Sequence, residues 1–166
     1  SNSTAMAMGF HVLTVARAAQ EGANLAECQK LAEKCRQYTG VFFVVDTLEF
    51  LHRGGRIGGA QALMGTVLNI KPVLELRDGR IESIEKVRTK RKALDRLIAL
   101  VSHQVEGRTP LRLATLHANA EAEARFLLET ATAKLNPVET VFTSVSPAIG
   151  AHAGPGTVGL AYMAGM

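Results

Sequence analysis

The sequence predicts an α/β fold, a mixed β-sheet with helices packed mainly on one face, preceded by two further helices. Three observations lead there. "KPVLELRDGRIESIEKV", residues 71–87, alternates about Asp78-Gly79 and reads as a hairpin closed by a two-residue turn. "VFFVV", residues 41–45, is a continuous apolar run of strand length, the pattern of a strand covered on both faces. Beyond residue 88, helical and strand periodicities alternate, which calls for helices layered on a sheet.

The elements follow in order. Val12, Leu13, Ala16 and Ala19 recur at helical spacing up to Gly22. Asn24 can cap a second helix with Leu25, Cys28, Leu31, Ala32 and Cys35 on its apolar face. After the apolar strand, Thr47 can cap a short helix, "LEFLHR", stopped at Gly54-Gly55, and "AQALMGTVLN" forms a third amphipathic stretch. In the hairpin, Leu76 should face Ile81 and Leu74 should face Ser83. Thr89 caps a long helix whose face is Leu94, Leu97, Ile98, Val101 and Val105, with Gly107 and Pro110 beyond it. "LRLATLHA" is a strand, and Asn119 opens a helix faced by Ala124, Leu127, Leu128, Ala131 and Leu135. "VETVFTSV" is the next strand, and "GTVGLAYMAGM" closes as a strand because its small residues give little helical face.

Composition narrows the function classes. A chain of 166 residues and 17.8 kDa, 47% apolar and 20% charged, suits one domain with a real core, or one domain plus a piece of another. No apolar run approaches the length of a membrane span, so no integral membrane segment is expected, and no charged-then-apolar leader is visible. Cys28 and Cys35 lie about two helical turns apart, too far to bridge, and read as reduced, buried thiols of a cytoplasmic protein. The opening "SNSTAMAMGF" is expected to belong to a longer chain. The net charge of +4 is concentrated in "EKVRTKRK", residues 85–92, five basic residues against one acid. No aromatic interleaves that run, so stacking platforms for single-stranded nucleic acid are missing, and a patch for an acidic partner is the better reading.

Several motifs fall away on context. "GPGTVG", residues 154–159, has the glycine spacing of a dinucleotide loop but leads into a strand, where that fingerprint must open a helix. "GGRIGG", residues 54–59, lacks the Gly-Lys-Ser/Thr of a phosphate loop. The five histidines, His11, His52, His103, His117 and His152, form no close pair at ligand spacing, so neither a metal nor another cofactor is expected. Ser144 and Ser146 lie near His152, but there is no Gly-x-Ser-x-Gly elbow. What survives is Arg56 in "RGGRIGG" and His152 in "IGAHAGPG", each framed by glycines (Gly54, Gly55, Gly150, Gly154) that let a side chain be aimed from a tight loop. Together an Arg and a His suit an anion; Arg56 reads equally as a surface arginine in a helix-terminating loop, and His152 equally as a loop histidine bonded to backbone.

"VVDTLEFLHRGGRIGG", "LNIKPVLEL" followed by Asp78-Gly79, "KVRTKRKAL" and "IGAHAGPGTVGLAY" together resemble the DegV family, fatty-acid-binding proteins that serve bacterial fatty acid kinase. The resemblance implies residues 1–40 as the helical remnant of a first domain and residues 41–166 as the second α/β domain. It implies a long-chain fatty acid held between domains, its carboxylate met by Arg56 and His152, with no catalytic residue in this chain. It further implies that Arg88 faces a kinase partner that forms the acyl phosphate. Ala7 and His11 depart from the family pattern, where a Ser and a second Gly would stand. From residue types alone, the rival reading is a small hydrolase or acyl transferase with His152 as general base.

Overall fold

The computed structural model describes residues 1–64 and 70–166. Along the chain run α1 (Ala5–Gln20), α2 (Leu25–Cys35), β1 (Thr39–Val44), α3 (Glu49–Arg53), a 3-10 helix (Gly58–Leu63), β2 (Lys71–Arg77) and β3 (Arg80–Val87). There follow α4 (Lys90–Val105), β4 (Leu111–Ala118), α5 (Glu121–Leu135), β5 (Glu139–Ser144), α6 (Pro147–Ala153) and β6 (Thr157–Ala164). The strands form one mixed sheet in the order β3-β2-β1-β6-β4-β5; β4 and β5 pair parallel and the other neighbours antiparallel.

Local chemistry accounts for most boundaries. Asp78 and Gly79 both take positive φ, 50° and 79°, the pair of left-handed residues that a type I′ turn needs to match strand twist. The hairpin register places Leu76 opposite Ile81 and Leu74 opposite Ser83, as the alternation predicts. Asn24 accepts from the backbone of Ala26 and Glu27 while Glu27 reaches back to the Asn24 N–H, a complete capping box at the head of α2. The Thr89 hydroxyl accepts from Lys92 N at the head of α4.

The sheet is covered on both faces. Leu94, Leu97, Ile98 and Val101 of α4 and Ala124, Leu127 and Ala131 of α5 pack on Phe42, Val44, Val73, Leu113 and Leu160. Each such leucine or valine contributes about 1.5–3 kcal/mol by leaving water. On the opposite face Ala7 and Phe10 of α1, with Cys35 of α2, pack on Val41, Ala114, Leu116, Ala161 and Met163. Beside them Leu51 of α3, Ile57 just before the 3-10 helix, and Ala60 and Leu63 within it lie over Phe43, Val45 and Leu74. β1 is therefore buried on both sides, as its unbroken apolar run requires.

Some expected helix faces are corrected. In α1 the buried residues are Ala7, Phe10 and His11, while Val12 is 61% exposed and Ala16 and Ala19 face solvent. The helix is apolar nearly all round, so periodicity alone does not fix its inward side. In α2 Cys35 is buried and Leu25 is 86% exposed, because α2 rests on α1 near its own C-terminal end. Ala120, not Asn119, is the N-cap of α5. The stretch 60–69 begins within the 3-10 helix, and residues 65–69 of it lie outside the described residues.

His11 fixes α1 to the sheet. Its Nε2 lies 2.5 Å from Thr39 Oγ1, and the Thr39 hydroxyl donates to the Cys35 carbonyl at 3.2 Å, so the imidazole N–H donates to Thr39. Burial, reinforced by the positive charge of Arg36, pushes the His11 pKa below its ordinary value. The unfolded chain therefore takes up this proton first, and the stability that neutral His11 contributes is lost as the pH falls below about 6.5. Urea unfolding of wild type and His11→Gln at pH 7 and pH 5 should show the steeper loss in wild type. Equal pH dependence of the two would contradict this role.

Candidate functional site

A cleft of about 1010 Å³ opens on the sheet face that carries α1, α3 and α6. Its floor is the sheet itself: Val41 and Phe43 of β1, Leu76 of β2, Ile81 of β3 and Leu116 of β4. Gly159 of β6 pairs with both Phe43 and Leu116, and a Cβ there would lie 3.0 Å from Phe43 Cβ and 3.0 Å from Leu116 Cδ1. The two side chains thus close over the glycine and give an unbroken apolar floor. The rim is formed by residues 2–5 at the head of α1, the loop carrying Gly55 and Arg56, Gly58 and Gly59 at the start of the 3-10 helix, and α6 through Ala148, Ile149, His152 and Ala153.

Arg56 and His152 both line this cleft, and Gly54 is their common neighbour. Arg56 Nη1 donates to the Gly54 carbonyl at 3.0 Å, and its side chain is exposed, leaving further guanidinium donors for a ligand. The His152 ring lies against the Gly54 backbone so closely that a Cβ on Gly54 would sit 2.0 Å from Nδ1. That Nδ1 is buried without a hydrogen-bond partner among the described residues. The tautomer protonated at Nε2 leaves only a lone pair there, and Nε2–H is the donor available to an anion in the cleft.

The setting of His152 is a helix, not the tight loop the glycines and prolines suggest. Ser146 accepts from Ile149 N, Pro147 takes the first turn, and Gly154 ends α6 at φ 79°. A Cβ at Gly154 would lie 2.3 Å from the Phe50 ring, so this glycine also lets α3 pack on α6. Gly150 sits inside α6, where a Cβ would meet only Val145 Cγ2 at 3.8 Å, an ordinary contact. Ser146 is thus engaged as a cap, and His152 bonds neither it nor Ser144 among the described residues.

Arg88 is exposed between β3 and α4 and does not line the cleft. Residues that motif reading passed over do line it: Ser3, Thr4, Arg80, Glu82 and Thr157. Thr157 is buried, its hydroxyl directed at the carbonyls of Ala153 and Gly154, 2.9 Å each. Its place directly after the Gly-Pro-Gly run was the available signal. Among the described residues no cluster of His, Cys, Asp or Glu could hold a metal, and no helix is long and apolar enough to cross a membrane.

These features define an α/β protein with a ligand-sized apolar cleft floored by its own sheet and basic at one rim. The chain belongs to the DegV family: the family model described as "Uncharacterised protein, DegV family" matches residues 1–165. A DegV domain-containing protein of Streptomyces coelicolor is 42% identical over 157 residues, covering 94% of this chain and 56% of that protein. Protein DegV of Bacillus subtilis is 35% identical over 163 residues, covering 98% of this chain and 58% of its own length. Among solved structures, one described as fatty acid binding of a DegV family protein from Thermus thermophilus superposes with a TM-score of 0.93 at 35% identity. It is matched over 98% of this chain and 59% of its own. The structure of DegV, a fatty acid binding protein from Bacillus subtilis, gives 0.85 at 33% identity, over 98% of this chain and 58% of its own. The chain thus spans somewhat more than half the length of these relatives.

The glycines separate experimentally. Gly54→Ala should displace the imidazole and destabilise the fold by about 1–3 kcal/mol, the usual cost of overpacking. Gly150→Ala should be neutral or stabilising by about 0.4–1 kcal/mol, since the helical backbone accepts alanine. Urea denaturation distinguishes them, and equal effects would show that His152 yields freely.

Proposed function

We propose that the protein binds a long-chain fatty acid, with the acyl chain along the apolar floor and the carboxylate at Arg56 and His152. The observation that carries this is the cleft itself: a largely apolar floor with two basic side chains meeting at Gly54. Burying an acyl chain yields roughly 0.8 kcal/mol per methylene, so about 10 kcal/mol gross for a dozen, from which association costs are subtracted. The carboxylate is costly to desolvate and needs charge-assisted hydrogen-bond donors, which the guanidinium and the imidazole N–H supply. The relatives from Thermus thermophilus and Bacillus subtilis described as fatty-acid binding support the same ligand class.

The protein acts as a carrier with no chemistry of its own, and Arg88, exposed in the basic run 86–92, belongs to the surface that meets a kinase partner. Reaction at the carboxylate is then the partner's work, consistent with a His152 whose Nδ1 bonds no hydroxyl among the described residues.

Organic extraction of the purified full-length protein, followed by mass spectrometry, should release a fatty acid in near-stoichiometric amount. Absence of any acyl species, with no binding of added palmitate, would overturn the reading. Arg56→Ala should weaken palmitate binding about tenfold or more, the scale of a lost charged hydrogen bond. Arg88→Ala should leave lipid binding unchanged and lower kinase-dependent acyl phosphate formation. Equal loss of both would move Arg88 into the ligand site.

A further inference from the structure

Asp46 follows β1 and gathers two ammonium groups: Lys71, at the start of β2, and Lys90, the first residue of α4, each lie 3.0 Å from Oδ1. Burial raises the Asp46 pKa, but hydrogen bonds and charge from Lys71 and Lys90 outweigh it and hold the carboxyl below its ordinary value. Lys90 reaches further than Lys71 and also donates to the carbonyl of Gly156, in the turn between α6 and β6. That turn lies against the same carboxylate: Gly156 has φ 80°, and a Cβ there would sit 2.0 Å from Asp46 Oδ2. From the other side the Gly156 N–H donates to the Ala118 carbonyl at 2.8 Å. Thr157 then ties the turn back to the carbonyls of Ala153 and Gly154, adjacent to His152.

Partly exposed ion pairs of this kind add little stability on their own, since solvent screens them. Their value lies in geometry. We propose that Lys90, held by Asp46, is a positioning residue for His152: it fixes the Gly154–Gly156 turn and thereby the C-terminal end of α6 that carries the imidazole at the cleft. Lys71 shares the carboxylate but does not touch the turn, which separates the two lysines functionally. The effect on ligand rests on the fatty-acid reading above; the effect on His152 does not.

Two measurements on the full-length protein test this. In ligand-free protein, the His152 imidazole resonance, assigned by its loss in His152→Gln, should move or broaden in Lys90→Met and return in Lys90→Arg. By calorimetry, Lys90→Met should weaken palmitate binding about tenfold, and Lys71→Met by less than about twofold. In a His152→Gln background the Lys90→Met effect should shrink below about twofold, the mark of action through one shared group. Should Lys90→Met fail to fold, Asp46→Asn releases the same lysine and takes its place. An unmoved His152 resonance, or full additivity with His152→Gln, overturns the proposal. If wild type binds no palmitate, the fatty-acid reading fails while the resonance still decides the positioning role.

Discussion

The structure depends on β6 being completely satisfied by its neighbours. All eight of its residues are buried, so each backbone N–H and C=O must be paired inside the protein or cost its full desolvation. β1 takes one edge, with Val41 opposite Ala161 and Phe43 opposite Gly159; β4 takes the other, with Ala114 opposite Ala161 and Leu116 opposite Gly159. Everything else is arranged outward from that three-strand centre: a hairpin added beyond β1, a parallel edge beyond β4, and helices laid on both faces.

The same centre creates the cleft. A strand that alternates small and larger residues leaves a shallow place on one face, and at Gly159 the flanking Phe43 and Leu116 close it into an apolar surface. Polar groups cannot sit on such a floor without partners, and Arg56 and His152 reach it from a loop and a short helix at its rim. Arg56 and His152 come from segments more than ninety positions apart, joined because α3 and α6 pack together where Gly154 admits the Phe50 ring.

Legibility in the sequence followed the range of the interaction. The hairpin, its register and the face of α4 could be read because each depends on neighbours in the chain: Asp78-Gly79 for the turn, Thr89 for the cap, a 3.6-residue period for Leu94 to Val105. The inward side of α1 could not, because Met6, Met8, Phe10, Val12 and Leu13 surround the helix and only the sheet selects among them. Arg56 and His152 stood out by their glycine context, but their meeting at Gly54 is a tertiary fact. The helix that holds His152 was signalled by Ser146, Pro147 and Gly154, a cap, an opening residue and a stop; the surrounding alanines and glycines obscured it.

The middle strand of that centre, β6, is also the last strand of the sheet in chain order. β1 spans residues 39–44, and its partner along one edge spans residues 157–164, so these two strands meet only across almost the whole sequence. Contacts of such long range are slow to form, since loop-closure entropy is spent before any pairing repays it. During synthesis β1 and β4 each leave the ribosome with an unpaired inner edge and wait for the strand that joins them. The interval is a period of exposure for an apolar segment such as "VFFVV", which makes folding speed, as much as final stability, a property under physical constraint in this chain.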